Sequence, residues 1–436
     1  MQSIINEIKT LLDFIYDSPT PFHLVLNVEE RLKEVGFVKV EEGDRWKFKE
    51  GDRFYFTRDQ SSIVAVVLGE EPIEERGAII FGAHTDFPSL RIKPVYFYRD
   101  ESYGLIPVEI YGGPILQTWF DRDLGIAGRV VIKGERGIEE RYLKIDDRAV
   151  RISTLPIHLN RKVNEEGLKV DRQKDLNLVV TAESDFDKDK FKKLIAEKVG
   201  VKPEKILDWD LFLYDLQKGS IGGISREFYY SSRIDNLSSC YAITSAFIDS
   251  SNTDSRFTKV MVLFNNEEVG SKSFSGAESN LLVSLLQRLS KNSFENYYRA
   301  ISKSFIVSVD SAHGFNPIYK DKFDSKTKAY LNHGPVIKIN ASQRYVSLAT
   351  TSSLFILACE NCNIPYQYYV NNNNIPSGTT IGPIVSKTTG IATVDIGVPI
   401  FSMHSIREMA GCKDIVWLIK VLKELYLNYD KLKGGD

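Results

Sequence analysis

The sequence predicts an α/β protein: a mixed, mostly parallel sheet flanked by helices, with a β-rich domain inserted in it. Three observations carry this reading. From residue 223 onward, strand-like and helix-like apolar patterns alternate, as they do when helices cover both faces of a parallel sheet. Strand-like runs of the same kind stand earlier, at 62–68 and 78–81. Between them, from about 94 to 222, the chain is rich in tyrosine, β-branched residues and short alternating runs such as 108–111, 128–133 and 142–145. At 436 residues the chain is also too long for one ordinary core. The predicted division is one domain from 1–93 and 223–436, with an insert at 94–222.

Each element has its own signal. Residues 1–14 mix Glu7, Lys9 and Asp13 with apolar positions, which predicts an amphipathic helix and not a signal peptide. The turn Ser18-Pro19-Thr20-Pro21 separates it from a second helix, with Ser18 expected as N-cap and His23 as a packing histidine. A charged stretch at 70–76 parts two strands. Within the insert, 185–200 reads as one amphipathic helix. After a glycine-rich link at 219–223 come a helix from Ser238, strands at 259–264 and 305–309, a buried helix at 351–360 and a final helix from Asp414.

Composition narrows the function. Hydrophobic content of 43% and charged content of 26% are those of a globular protein. A net charge of −2 without basic clusters favours neither nucleic acid nor membrane as a partner. No apolar run is long enough to span a bilayer, so a cytoplasmic location is expected. The four cysteines form no disulfide framework; Cys359 and Cys362 make a C-x-x-C without a second pair, and read as structural thiols.

The chemistry centres on Val262-Leu263-Phe264-Asn265-Asn266-Glu267-Glu268-Val269-Gly270, an apolar run ending in two adjacent carboxylates. In an α/β protein a strand's carboxyl end opens onto the ligand crevice. Two glutamates there repel each other unless a cation compensates, and a cation lets one ligate while the other stays free as a base. Four further stretches bring a metal-competent residue to a strand end or a helix start: His84 with Asp86, Asp235, Asp310 and His404. Asp86, two residues from His84, is spaced to accept its second N–H. Asp235 could face two metals or merely cap a helix. Together these residues supply roughly what two metals about 3.5–4 Å apart, sharing one carboxylate, require.

Several motifs also resemble the aspartyl aminopeptidase / aminopeptidase I family of zinc metallopeptidases. They are Gly82-Ala83-His84-Thr85-Asp86, Arg233-Ile234-Asp235-Asn236, Asn266-Glu267-Glu268-Val269-Gly270-Ser271, Gly334-Pro335-Val336-Ile337-Lys338, Gln343-Arg344-Tyr345, Gly378-Thr379-Thr380-Ile381-Gly382-Pro383 and Met403-His404-Ser405-Ile406-Arg407-Glu408. The resemblance runs in order from Ser18-Pro19-Thr20-Pro21-Phe22-His23 to the final helix. It implies a zinc-exopeptidase-like fold with an inserted dimerisation domain. It also implies two Zn²⁺ per subunit, with Co²⁺ or Mn²⁺ as alternatives. His84 and Asp310 are expected on one ion, Glu268 and His404 on the other, and Asp235 across both. A metal-bridging hydroxide would attack the peptide, Glu267 would be the general base and Asp86 would buttress His84. The bond Asp235–Asn236 is expected to be cis. His313, Lys338, Arg344, Gly378, Thr379 and Met403 are expected to line the substrate site. A tetrahedral dodecamer built from dimers is implied, with His158, in Leu155-Pro156-Ile157-His158-Leu159-Asn160-Arg161, acting in a neighbouring subunit.

The chain departs from acid-preferring members of that family. Asn316 stands where they tend to carry a second histidine, Ser342 where they carry a lysine, and Asn332-His333-Gly334-Pro335 where many read His-Lys-Gly-Pro. An acidic side chain needs a fixed cation, so the expected P1 preference is neutral or broad, with an acidic one as the alternative: Lys338 and Arg344 are the remaining candidate cations, and either could instead be a structural ion-pair partner. The expected activity is removal of single N-terminal residues from peptides. The alternatives are another dimetal exopeptidase or deacylase, or an inactive self-assembling shell protein.

Overall fold

The computed structural model describes residues 2–434; Met1, the first residue of the predicted N-terminal helix, and Gly435 and Asp436 lie outside the described residues. Three strands form the heart of a nine-stranded sheet. Thr258–Phe264, Ala78–His84 and Phe305–Val309 are buried along their whole lengths, because helices cover both faces. They run parallel, with Phe264 opposite His84 and Ser308 opposite Gly82, and Ala392–Gly397 continues the parallel set beyond Phe305–Val309. Antiparallel strands Ser62–Val67 and Arg53–Arg58 extend one side, and Val336–Lys338 joins antiparallel on the other. The sheet is therefore mixed and mostly parallel, as the sequence predicts.

One face packs against the helices Gln2–Tyr16, Pro21–Glu34, Ile234–Ser250, Ala349–Asn361 and Cys412–Leu432. The other packs against Leu281–Leu289, Phe294–Lys303 and Ile381–Thr389. Each fully buried Val, Leu or Ile here is worth about 1.5–3 kcal/mol relative to exposure. The last helix is fixed to the sheet by Tyr426, whose ring lies 3.8 Å from that of Phe81 and whose hydroxyl donates to the Val260 carbonyl at 2.8 Å.

The first turn differs from its prediction. Thr20, not Ser18, caps the second helix: its hydroxyl accepts from the His23 N–H, and Pro21 opens the helix with no N–H to satisfy. Ser18 instead accepts from Asn27 Nδ2 at 3.3 Å. His23 packs at this turn, its Nδ1 2.7 Å from the Thr20 hydroxyl, and burial pushes its pKa down to about 4. The insert helix is Lys188–Lys198, starting after the cap Asp187, so it is shorter than predicted at both ends.

A second sheet, of seven strands, is built mainly from Tyr103–Tyr111, Leu124–Lys133, Ile138–Val150 and Ile206–Asp215. Its strand Ser89–Ile92 comes before residue 94, because Leu90 and Ile92 pair with Ile110 and Val108 and belong to this core. A third, smaller sheet joins Ser220–Gly222, Phe228–Ser231, Glu408–Gly411, Pro399–Phe401 and Ala312–His313. All four cysteines are free. No helix among the described residues is long and apolar enough to cross a membrane.

Candidate metal centre

Parallel register aligns the carboxyl ends of the central strands, and the candidate residues meet at that edge. His84 ends its strand, Asp310 follows Val309, and the chain after Phe264 turns at Asn266, in the left-handed region at φ 61°, to start a short 3-10 turn at Glu267. Asp235 lies at the start of Ile234–Ser250 with non-helical angles, and the regular helix begins after Asn236. The peptide bond Asp235–Asn236 is cis. His404 arrives from the third sheet, in the turn after Pro399–Phe401. Close approach matters at this edge: a Cβ at Gly397 would come within 1.7 Å of the Asp310 carbonyl.

The distances separate two half-sites. His84 Nε2 lies 3.5 Å from Asp310 Oδ1 and 3.6 Å from Asp235 Oδ1. His404 Nε2 lies 3.3 Å from Glu268 Oε1 and 3.4 Å from Asp235 Oδ2. Asp235 thus turns one oxygen toward each imidazole. Glu267 Oε2 is 3.9 Å from His84 Nε2.

Both rings are held from behind. His84 Nδ1 lies 2.9 Å from the Asp86 carbonyl, and His404 Nδ1 3.1 Å from the Gly113 carbonyl. A carbonyl accepts only from N–H, so each neutral ring presents its Nε2 lone pair to carboxylate oxygens. Lone pairs facing lone pairs need a cation or a proton between them. Asp235 Oδ1 and Glu268 Oε1 are buried and make no hydrogen bond. Ligand atoms of His84, Asp235 and Glu268 all fall within 4.8 Å of one another. The donor set of imidazoles and carboxylates fits zinc.

Electrostatics without a cation are correspondingly strained. Burial pushes Glu267 well above the usual carboxylate range; Asp310, Glu268 and Asp86 add to this and His84 opposes it. Burial also raises Glu268, to about 7, with Asp235 contributing and His404 opposing. Burial would lower His404, but Asp235 and Glu268 outweigh it and bring it to about 11. Asp310 would likewise rise on burial, yet Lys338 and His84 hold it well below the ordinary range. A divalent cation there would lower Glu267, Glu268 and His404 together, and would keep Asp310 ionised.

Other predicted residues differ in placement. Asp86 meets His84 mainly through its backbone carbonyl, its carboxylate Oδ1 standing 3.5 Å off. That carboxylate instead accepts the backbone N–H groups of Glu267 and Glu268, at 3.0 and 3.1 Å. Lys338 is buried, its Nζ 3.2 Å from Asp310 Oδ2, so it is an ion-pair partner inside the centre and not a free cation at its mouth. Arg344 is exposed, and its carbonyl accepts from Thr379; Gly378 and Thr379 are exposed as well. His313 and Met403 line a cavity of about 400 Å³ beside His404, with Asn316, Tyr369 and Phe401. His158 lies exposed in a turn of the inserted region and is not among the converging residues.

Two residues escaped sequence reasoning. Glu408 is buried and accepts the backbone N–H groups of Asp235 and His404, at 3.1 and 2.8 Å, so it orients both half-sites. Its place in the His404 motif was the available signal. Tyr111, from the inserted sheet, had none.

The chain is similar to known proteins along nearly its whole length. The profile of the family described as Aminopeptidase I zinc metalloprotease (M18) matches residues 14–426. The Probable M18 family aminopeptidase 2 of Clostridium novyi (strain NT) is 42% identical over 434 residues, spanning 98% of this chain and 100% of the relative. Among solved structures, a chain of the Ape4 and Nbr1 complex is similar with a TM-score of 0.94 and 34% identity, covering 98% of this chain and 86% of that one. The S. cerevisiae mApe1 dodecamer aligns with a TM-score of 0.85 and 27% identity, covering 98% and 97%. With a family match along nearly its whole length, the chain belongs to the aminopeptidase I (M18) family of zinc metalloproteases and is a metallopeptidase of the aminopeptidase type.

Proposed function

We propose that the chain removes single N-terminal residues from peptides using two zinc ions, Co²⁺ or Mn²⁺ being compatible with the same donors. The observation that carries this reading is Asp235, whose oxygens lie 3.6 and 3.4 Å from different imidazoles. His84 and Asp310 would hold one ion, Glu268 and His404 the other, with Asp235 placed to serve both. Bound there, zinc supplies Lewis acidity, lowering the pKa of a water and polarising the scissile carbonyl. Glu267 handles the protons. Its side chain is 13% exposed against 5% for Glu268, so it reaches a reacting water more freely. Its carboxylate takes the proton of the attacking water and returns it to the leaving amine. Asp86 keeps it in place by gripping the backbone of the turn.

The P1 preference is neutral or broad. Of the two expected cations, Lys338 is spent on Asp310, and Arg344 does not line the cavity beside His404. Lys322 does, but its side chain is 64% exposed beside Asp321, a solvated charge and not a fixed one. Hydrolysis of Leu-, Asp- and Lys-aminomethylcoumarin tests both claims. Leu is expected to exceed Asp in kcat/KM by roughly tenfold or more, since neither Lys338 nor Arg344 stands in that cavity to fix an acidic side chain. An Asp advantage would overturn the specificity; refusal of all three substrates by zinc-loaded protein would overturn the activity.

The assembly is a cytoplasmic homo-oligomer, a tetrahedral dodecamer built from dimers, with the domain at 94–222 at the dimer contact. Support comes from the likeness to the mApe1 dodecamer and from exposed Leu155, Ile157 and Leu159 around His158. His158 acts in the neighbouring subunit. Leu155→Glu with Leu159→Glu should yield a monomer by sedimentation that keeps its zinc and loses turnover. A verified monomer that still turns over sinks the trans role.

A further inference from the structure

The inserted sheet reaches into the metal centre at residues 111–115. Tyr111 closes the strand Tyr103–Tyr111. Its hydroxyl donates to Asp86 Oδ2 at 2.7 Å and accepts from Asn266 Nδ2 at 2.8 Å. Asp86 in turn holds the backbone N–H groups of Glu267 and Glu268. On the other half-site, the Gly113 carbonyl faces His404 Nδ1 at 3.1 Å, and the Ile115 N–H donates to the His404 carbonyl at 2.9 Å. Gly112 lies between, at φ +70°, where an added Cβ would meet the Glu268 Cβ at 3.1 Å.

One short segment therefore touches the base turn and the His404 turn together. We infer that residues 111–115 form a positioning element for the hydrolysis, with Tyr111 acting through Asp86 to aim Glu267. This rests on Glu267 being the base. The physical reason is register: a carboxylate that shuttles a proton must sit within hydrogen-bond reach of it, and misplacement by about 1 Å can cost about 100-fold in rate. The turn carrying Glu267 is short, begins at a left-handed Asn266 and is exposed at Val269 and Gly270, so its placement depends on contacts from outside it. Asp86 and Tyr111 tie it to two different sheets. The inserted domain thereby acts within its own subunit, independently of any residue it lends to a neighbour.

Tyr111→Phe removes the hydroxyl and keeps the ring, which stands edge-on to Phe212 at 5.8 Å in the same sheet. In the full-length zinc-loaded enzyme, kcat should fall about 10- to 100-fold with KM within about twofold and zinc content unchanged. In an Asp86→Asn background the same change should add almost nothing, because both act along one path. If kcat at a temperature well below melting is unchanged, whether or not Tm falls, Tyr111 is structural only and the inference fails. Should Asp86→Asn not fold, the split between kcat and KM in Tyr111→Phe alone decides. Glu267→Gln measured alongside separates the two claims: if it stays active the base assignment fails, and if it is inactive while Tyr111→Phe is unaffected only the positioning role fails.

Discussion

Glu267→Gln is expected to lower kcat by about 10²- to 10⁴-fold while the protein keeps its zinc. The substitution preserves shape and leaves the backbone N–H that Asp86 holds, so the turn should stand as before. What disappears is an oxygen able to accept a proton and give it back. Glu268, next in the chain, cannot substitute, because its Oε1 is committed toward His404 at 3.3 Å and its side chain is buried. The check is turnover of the best coumarin substrate beside elemental analysis of the same sample. Residual activity above about a tenth of wild type would mean that another group moves the proton.

Asp235→Asn should act differently, by dismantling the centre. An amide offers one neutral oxygen where the carboxylate offers two charged ones, and here the two face separate imidazoles. Fewer than two zinc ions per subunit should then survive dialysis, and kcat should fall on the order of 10³-fold, since Lewis-acid stabilisation is worth several kcal/mol. Wild-type enzyme should reach the same state with a chelator and recover on adding zinc, whereas the variant should not recover. Two retained ions with near-normal turnover would overturn the bridging role.

The two variants differ in a way that reflects what the sequence made legible. Strand ends were readable because Thr258–Phe264, Ala78–His84 and Phe305–Val309 are continuous apolar runs stopped by polar residues, and buried parallel strands have that form. Ligand-type residues at those stops are legible in the sequence alone. Side-chain direction could not. Whether Asp86 reaches back to His84 or forward to the Glu267 turn depends on backbone angles that spacing does not encode. Lys338 reads from sequence either as a free cation or as an ion-pair partner, because nothing in Val336-Ile337-Lys338 says that its strand is an inner one facing Asp310. Thr20 and Ser18 are both chemically able to cap the helix; Pro21, fixed at its first position, decided between them. Tyr111 was hidden for a larger reason: its partners lie in another sheet, and long-range juxtaposition of that kind has no local pattern.

His404 stands in a turn of the small third sheet, His84 and Asp310 on the large one, and the inserted sheet grips His404 through Gly113. An ion held by donors from separate sheets is a cross-link as much as a catalyst. Because only the folded chain gathers those donors, each zinc held as proposed would add RT ln(1 + [Zn]/Kd) to stability, about 2.7 kcal/mol at a hundredfold excess over Kd. Folding and loading would then be one equilibrium, and the lifetime of the enzyme against proteolysis would follow the free zinc around it.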